Sequence, residues 1–177
     1  MKKMFFLFLL AAFNAEAEEC LAVNGERSEI AFEIEQAGTA FKGNFETAGG
    51  TVCVSDGAVT RIDAWLDPAS ADTGLPELDR ALAGEEFFAV KKFPRVTFKS
   101  DAIEKTGDGF VAHGTLTMKG KSKPFDLPFT LEKRDSNYSA SGETQVRRLE
   151  FGIGTGEWSD VEWLSDEVTI RYSIVAG

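Results

Sequence analysis

Most of the chain alternates apolar and polar residues with a period of two, which is the pattern of a strand with one buried face. The clearest example lies near the C-terminus, where the apolar positions are Val168, Ile170, Tyr172 and Ile174. Similar short runs follow one another from residue 29, separated by turn signals such as Gly107-Asp108-Gly109. About eight strands of this kind are typical of an antiparallel barrel or sandwich, and the pattern predicts one all-β domain.

One segment, residues 73–93, does not alternate and predicts a short helix. Pro76 suits the first helical turn, where its missing N–H needs no partner, and Gly84 is a typical helix stop. Apolar residues at helical spacing form one face, at Leu75, Leu78 and Leu82. The aromatic pair Phe87-Phe88 follows directly. We expect this helical insert to cover one end of a curled sheet, because so much apolar surface needs a partner.

The N-terminus has the three parts of a signal peptide. Lys2 and Lys3 provide positive charge, residues 4–13 are apolar, and Ala15-Glu16-Ala17 is a small-x-small cleavage site. The apolar run is too short to span a bilayer, which takes about 20 residues. We therefore predict a signal peptide at residues 1–17, cleavage after Ala17 and an exported domain at residues 18–177.

The exported part has two cysteines, Cys20 and Cys53, and an even number in a secreted chain suggests a disulfide. Metal ligation is the alternative, but the chain has only one histidine, His113, to help complete a site. Lipid attachment at Cys20 is disfavoured, because acidic Glu18 and Glu19 stand where a lipidation signal has small or apolar residues. We expect a Cys20–Cys53 disulfide and no metal site.

The formal net charge of −10 disfavours binding to nucleic acid and to anionic membranes. His113 lies in the polar register of its predicted strand, which favours a surface position over a general base. Gly152, Gly154 and Gly156 lack the strand and helix of a nucleotide-binding loop and favour a tight bend. We therefore predict no catalytic residue, and a protein that is not an enzyme.

Three blocks of sequence resemble the YceI family of bacterial periplasmic proteins. They are Ala71-Asp72-Thr73-Gly74 with Leu78-Asp79-Arg80-Ala81-Leu82, Phe87-Phe88, Lys92-Phe93-Pro94 and Thr97-Phe98-Lys99-Ser100; Gly114-Thr115-Leu116-Thr117-Met118-Lys119-Gly120 with Lys123-Pro124; and Arg148-Leu149-Glu150-Phe151-Gly152-Ile153 with Asp166-Glu167-Val168. The resemblance extends from about Ser28 to the C-terminus. It implies a single antiparallel eight-stranded lipocalin-like β-barrel with a short helical insert covering one end. It also implies a periplasmic location and a long apolar isoprenoid-type lipid, such as a polyprenyl chain or a quinone tail, as ligand.

A barrel of eight strands is either filled by side chains or open for one slim ligand. The alternation leaves both outcomes open, and the resemblance favours an interior that holds a ligand. The predicted ligand contacts are the inward-facing residues of the strands and the aromatic pair of the insert. They are Ile30, Phe32, Ile34, Phe45, Leu66, Phe87, Phe88, Val96, Phe98, Leu116, Met118, Phe129, Ile153, Ile170 and Tyr172. No cofactor besides the bound lipid is implied.

The chain departs from the family at Arg27 and Ala81, where members often carry histidine. An anchored lipid head group would therefore need a basic residue of this chain. The candidates are Arg27, Arg80, Lys91, Lys92 and Arg148. For Arg148, which matches an arginine of the family, we expect an ion pair with Glu150 or a neighbour as the main role.

Three functions fit these observations. The first is a periplasmic carrier or storage protein for an isoprenoid lipid. The second is an accessory subunit that docks to a membrane redox protein through its acidic surface. The third is a lipid-modifying enzyme, which the lack of candidate bases disfavours. The sequence leaves the oligomeric state open, and a homodimer is compatible with it.

Overall fold

The computed structural model describes residues 17–177, so the predicted signal peptide lies outside the described residues except for Ala17. This range contains eleven strands and one α-helix, α1 (Pro76–Ala83). The strands are β1 (Glu19–Ala22), β2 (Glu29–Gln36), β3 (Thr39–Phe45), β4 (Ala48–Ser55), β5 (Ala58–Leu66), β6 (Ala71–Asp72), β7 (Val96–Thr106), β8 (Gly109–Met118), β9 (Lys121–Arg134), β10 (Asn137–Arg147) and β11 (Glu167–Ala176). Within residues 17–177, no helix is long and apolar enough to cross a bilayer.

The described strands form one antiparallel sheet in the order β1-β4-β5-β7-β8-β9-β10-β11-β2-β3-β6. β3 and β4 stand near opposite ends of this order, yet only Glu46 and Thr47 separate them in the chain. The sheet must therefore curl until its two ends meet at this connection. The prediction of an all-β, antiparallel, lipocalin-like fold with one short helix is confirmed.

The strand count is eleven, whereas the prediction was eight. β1 and β6 have only four and two residues, which is too short for an alternating pattern to show. Gly49-Gly50 resembles a turn in sequence, but both glycines lie within β4. Gly50 has φ 137°, and a Cβ there would overlap the backbone of Asp63 in β5, so the glycine permits close strand packing instead of a turn.

α1 begins at Pro76 and ends at Ala83, directly before Gly84, as the sequence predicts. Leu78 and Leu82 of this helix face the interior of the curled sheet. Leu75 is 52% exposed, because it precedes the first turn as the N-cap residue. The insert follows β6 and precedes β7, and it lies at one end of the sheet because Val96, the first residue of β7, pairs with Leu66, the last residue of β5.

The end of the curled sheet farthest from the insert is filled by side chains. Its buried residues include Val52, Val54, Val59, Ile62, Ala112 and Phe129. Phe129 stacks on Phe110 with ring centroids 5.3 Å apart. Close packing of this kind leaves no room for a ligand, so any ligand space must lie toward the insert.

β9 and β10 pair over a short stretch, from Asn137–Arg134 to Ser141–Thr130. Pro128, which has no N–H to donate, precedes Thr130, the last paired residue of β9, by two positions in the chain. Its carbonyl accepts a hydrogen bond from the Tyr172 hydroxyl of β11. Burial raises the pKa of this hydroxyl, which therefore remains a donor at any physiological pH. The ladder between β9 and β10 stops short of Pro128.

The predicted disulfide between Cys20 and Cys53 is present and ties β1 to β4. Cys53 is 1% exposed, and the Arg61 Nη2 atom lies 3.1 Å from its sulfur. Because the two sulfurs are bonded to each other, they are not available as metal ligands.

Reduction of this disulfide is expected to lower the free energy of unfolding by about 3–4 kcal/mol, because the bond closes a long loop in the unfolded chain. Urea unfolding with and without dithiothreitol measures the difference. The double variant Cys20→Ser/Cys53→Ala is the control and should not respond to the reductant. A loss below about 1 kcal/mol in the oxidised chain would contradict the expectation.

Candidate functional site

An apolar cavity of about 250 Å³ lies inside the curled sheet, next to the helical insert. Fourteen of the fifteen predicted ligand contacts line it. They are Ile30, Phe32, Ile34, Phe45, Leu66, Phe87, Phe88, Val96, Phe98, Leu116, Met118, Ile153, Ile170 and Tyr172. The exception is Phe129, which belongs to the filled end. The interior is therefore solid at one end and hollow at the other.

The strand registers explain why these residues meet. Ile170 of β11 pairs with Phe32 of β2, and Tyr172 pairs with Ile30. Directly opposed residues in an antiparallel ladder point to the same face, and residues two apart share that face. One continuous apolar wall follows from the alternation of the two strands. Ile34 and Phe41 extend it along β2 and β3.

The insert closes the cavity with aromatic side chains. Phe88 packs edge-on against Phe45, with ring centroids 5.9 Å apart. Phe87 packs against Trp158, with ring centroids 5.5 Å apart. Trp158 belongs to the loop at residues 148–166, so the cover of the cavity is built from two separate parts of the chain.

Hydrogen bonds join these two parts. The carbonyl of Glu86 accepts from the backbone N–H groups of Gly154 and Thr155, at 2.8 and 3.0 Å. Its carboxylate accepts from the indole N–H of Trp158 at 3.1 Å. Lys119 adds a third link, because its ammonium donates to the carbonyls of Glu85 and Gly152. Burial lowers the pKa of this ammonium. The cover is thus held by directed polar bonds as well as by aromatic packing.

Arg148 organises the loop at residues 148–166 from within. Its side chain is buried, and its five N–H groups donate to five backbone carbonyls, at 2.6–3.0 Å. The acceptors are those of Ile153, Gly154, Trp158, Leu164 and Ser165. A side chain at Gly154, where φ is 73°, would overlap the guanidinium. Burial lowers the pKa of Arg148.

The expected ion pair of Arg148 with Glu150 or a neighbour is wrong, because all five N–H groups of its side chain donate to backbone carbonyls. Glu150 pairs with Lys123 instead, at 3.9 Å. The carbonyls of this loop have no strand partner, and a buried arginine can donate to them. Hydrogen bonds to these buried carbonyls stabilise the protein more than an ion pair with a carboxylate at the surface would. The prediction of a tight bend at the three glycines agrees with their positive φ values of 66–73°.

Sequence reasoning missed several lining residues. Some belong to apolar faces that periodicity identifies, Leu78 and Leu82 by helical spacing and Phe125 and Leu127 by alternation. Others lie in the loop, including Trp158 and Leu164, where no periodicity marks them. Gln36 was missed because it is polar, although it continues the inward register of β2. Trp163, the neighbour of Leu164, is 50% exposed and does not line the cavity.

Four of the candidate head-group anchors do not line the cavity. They are Arg27, Arg80, Lys91 and Lys92. Arg27 borders a separate polar groove beside β9, β10 and β11. Among the described residues, Arg148 is the only lysine or arginine in the lining, and its N–H groups are fully used.

His113 also lies outside the cavity, on the outer face of β8. Its Nδ1 and Nε2 atoms lie 2.7 and 3.2 Å from carboxylate oxygens of Asp126 and Glu104. These hydrogen bonds raise the pKa of the imidazole, with Asp126 as the larger cause. This is the expected surface position.

Comparison with known proteins places the chain in a family. The sequence profile of the YceI-like domain matches residues 21–176. A UPF0312 protein of Yersinia pestis (strain Pestoides F) is 29% identical, over 95% of this chain and 90% of that protein. Burkholderia cenocepacia BcnA has a similar crystal structure, with a TM-score of 0.83, 28% identity, and coverage of 88% of this chain and 99% of that one.

A further structural likeness concerns the fold alone. A polyisoprenoid binding domain from Saccharophagus degradans, implicated in plant cell wall breakdown, has a TM-score of 0.71 at 11% identity. The alignment covers 91% of this chain and 98% of that domain. The profile match spans nearly all of the described residues, and the chain therefore belongs to the YceI-like family.

Proposed function

We propose that this protein binds a long apolar isoprenoid-type lipid, a polyprenyl chain or a quinone tail, and acts as its carrier or store in the periplasm. The observation that carries the proposal is the apolar cavity next to the helical insert. Apolar walls offer few polar partners, so they suit a hydrocarbon chain better than a polar metabolite. Burial of each CH₂ group contributes about 0.8 kcal/mol before the costs of association.

Binding, and not catalysis, is the activity proposed. Among the described residues, the lining holds no nucleophile beside a base, and His113 lies on the opposite face of the sheet. Burial raises the pKa of Tyr172, and its hydroxyl donates to the Pro128 carbonyl. The fold shared with a polyisoprenoid binding domain supports the same ligand class. The predicted signal peptide supports the periplasmic location.

Lipid uptake by delipidated protein tests the proposal. We expect geranylgeraniol, a chain of 20 carbons, to bind with one-to-one stoichiometry and to change the fluorescence of Trp158 at the cavity wall. A short polar alcohol such as glycerol should cause no change at the same concentration. A folded protein that takes up neither geranylgeraniol nor a longer polyprenol would contradict the proposal.

Truncation of Phe88 to alanine is expected to speed lipid release severalfold, because its ring separates the bound chain from solvent at the cover. Stopped-flow transfer to acceptor vesicles measures the off-rate. Phe110→Ala is the matched control, since Phe110 packs in the filled end and does not line the cavity. Each truncation costs up to about 3–5 kcal/mol of stability. An off-rate unchanged in Phe88→Ala would mean that the insert is not a cover.

A further inference from the structure

The positive charge in the cavity wall is not available to a ligand. Arg148 is the only cationic side chain among the described lining residues, and each of its five N–H groups already donates to a carbonyl. A guanidinium has no further donor to offer. An anionic head group at this end of the cavity would therefore lose its hydration without gaining a charged partner.

The loop that borders the cavity is itself acidic. Residues 149–170 contain no lysine, arginine or histidine. They contain Glu150, Glu157, Asp160, Glu162, Asp166 and Glu167. Glu150 pairs with Lys123 and Asp166 pairs with Arg147, and the other four have no ion pair among the described residues. Ile153, Trp158 and Leu164 of this segment line the cavity, so the loop adds negative potential at this end, which the Lys119 ammonium on the Gly152 carbonyl offsets only in part.

Gln36 carries the one amide side chain in the described lining, and the hydroxyls of Thr97 and Thr144, which also line the cavity, likewise have no hydrogen-bond partner among the described residues. Gln36 is the last residue of β2 and lies in the cavity lining, one position before the exposed turn at Ala37-Gly38. Its backbone pairs with Leu164 of the loop. Its side-chain amide has no hydrogen-bond partner among the described residues, unlike Thr73 nearby, whose hydroxyl donates to Asp79. An amide both donates and accepts, which suits a hydroxyl or a carbonyl.

We propose that the cavity selects lipids with an uncharged head group, and that the Gln36 amide is the residue that hydrogen-bonds this head. The inference rests on the proposed lipid binding. It narrows the ligand class to isoprenoid alcohols and carbonyl compounds and disfavours phosphate esters with the same hydrocarbon chain. Selection then has two sources. Gln36 supplies an attractive contact, while the acidic loop and the fully used Arg148 provide no compensation for an anion.

The test compares ligands that share one chain. Geranylgeraniol, geranylgeranyl phosphate and the hydrocarbon phytane are titrated into delipidated protein at pH 7, with intrinsic tryptophan fluorescence as the readout. We expect the alcohol to bind at least about tenfold more tightly than the phosphate. Gln36→Leu should weaken the alcohol about fivefold, the effect of one hydrogen bond, and leave phytane unchanged. Gln36→Lys should reverse the preference in favour of the phosphate.

Gln145→Leu is the matched control, since Gln145 is exposed on β10 and does not line the cavity. It should alter none of the three affinities. Equal binding of alcohol and phosphate by the unmodified protein, or an unchanged alcohol affinity in Gln36→Leu, would overturn the inference while leaving lipid binding intact. Failure of all three ligands to bind would instead overturn the proposed function.

Discussion

Replacing Arg148 by methionine is expected to lower the free energy of unfolding by about 5 kcal/mol. The methionine keeps most of the aliphatic volume but leaves the five carbonyls that Arg148 satisfies without donors. A buried acceptor that loses its partner costs about 1–3 kcal/mol, and partial relaxation of the loop limits the total. Urea unfolding followed by circular dichroism measures the change.

Arg147→Met provides a matched control at the adjacent residue. The Arg147 side chain is exposed, and its ion pair with Asp166 at 3.3 Å is of the surface type. Such pairs contribute at most about 1 kcal/mol, so this variant should stay within that range. If Arg148→Met were as mild as Arg147→Met, the guanidinium would not be what holds the loop at residues 148–166.

Replacing Ile170 by aspartate is expected to abolish lipid binding, with an affinity loss of about 100-fold or more. Ile170 lines the cavity between its ladder partners Phe32 and Thr144. Within residues 17–177, no lining cation is free to pair with a carboxylate there. The resulting cost of several kcal/mol lowers either the affinity for the lipid or the stability of the fold. Geranylgeraniol titration and circular dichroism separate the two outcomes.

Two further variants complete that experiment. Gln145→Asp places the same charge on the outer face of β10 and should leave both binding and folding close to normal. Ile170→Trp fills the cavity without adding charge and should also block the ligand. Normal binding by a folded Ile170→Trp variant would show that the ligand site lies elsewhere.

Alternation along the strands predicted which residues face the interior, whereas the expectation that the interior is hollow came from the family resemblance. Ile170 and Phe32 each lie in a run with a period of two, and the sheet brings both to the inner face. Phe129 faces inward but does not line the cavity. Its register is inward as predicted, but alternation specifies a face and not a depth along the strand. Whether an inward residue meets a ligand or the filled end depends on how the sheet curls.

Loop residues could not be predicted in the same way. Arg148 and Trp158 lie in two short 3-10 turns, Arg148–Phe151 and Gly156–Ser159, which are too short for a period to indicate direction. The number of carbonyls facing Arg148 depends on the path of the loop, which no local pattern specifies. α1 was predictable because Pro76 and Gly84 mark its two ends through backbone chemistry that is independent of tertiary contacts.

The central claim is that the cavity holds an isoprenoid-type lipid, and native mass spectrometry of the protein purified from its own cells tests it most directly. We expect a chain of residues 18–177 with one disulfide, plus a single added mass that organic extraction removes and that fragments as an uncharged isoprenoid. Protein that carries no added mass and takes up no polyprenol after purification would contradict it.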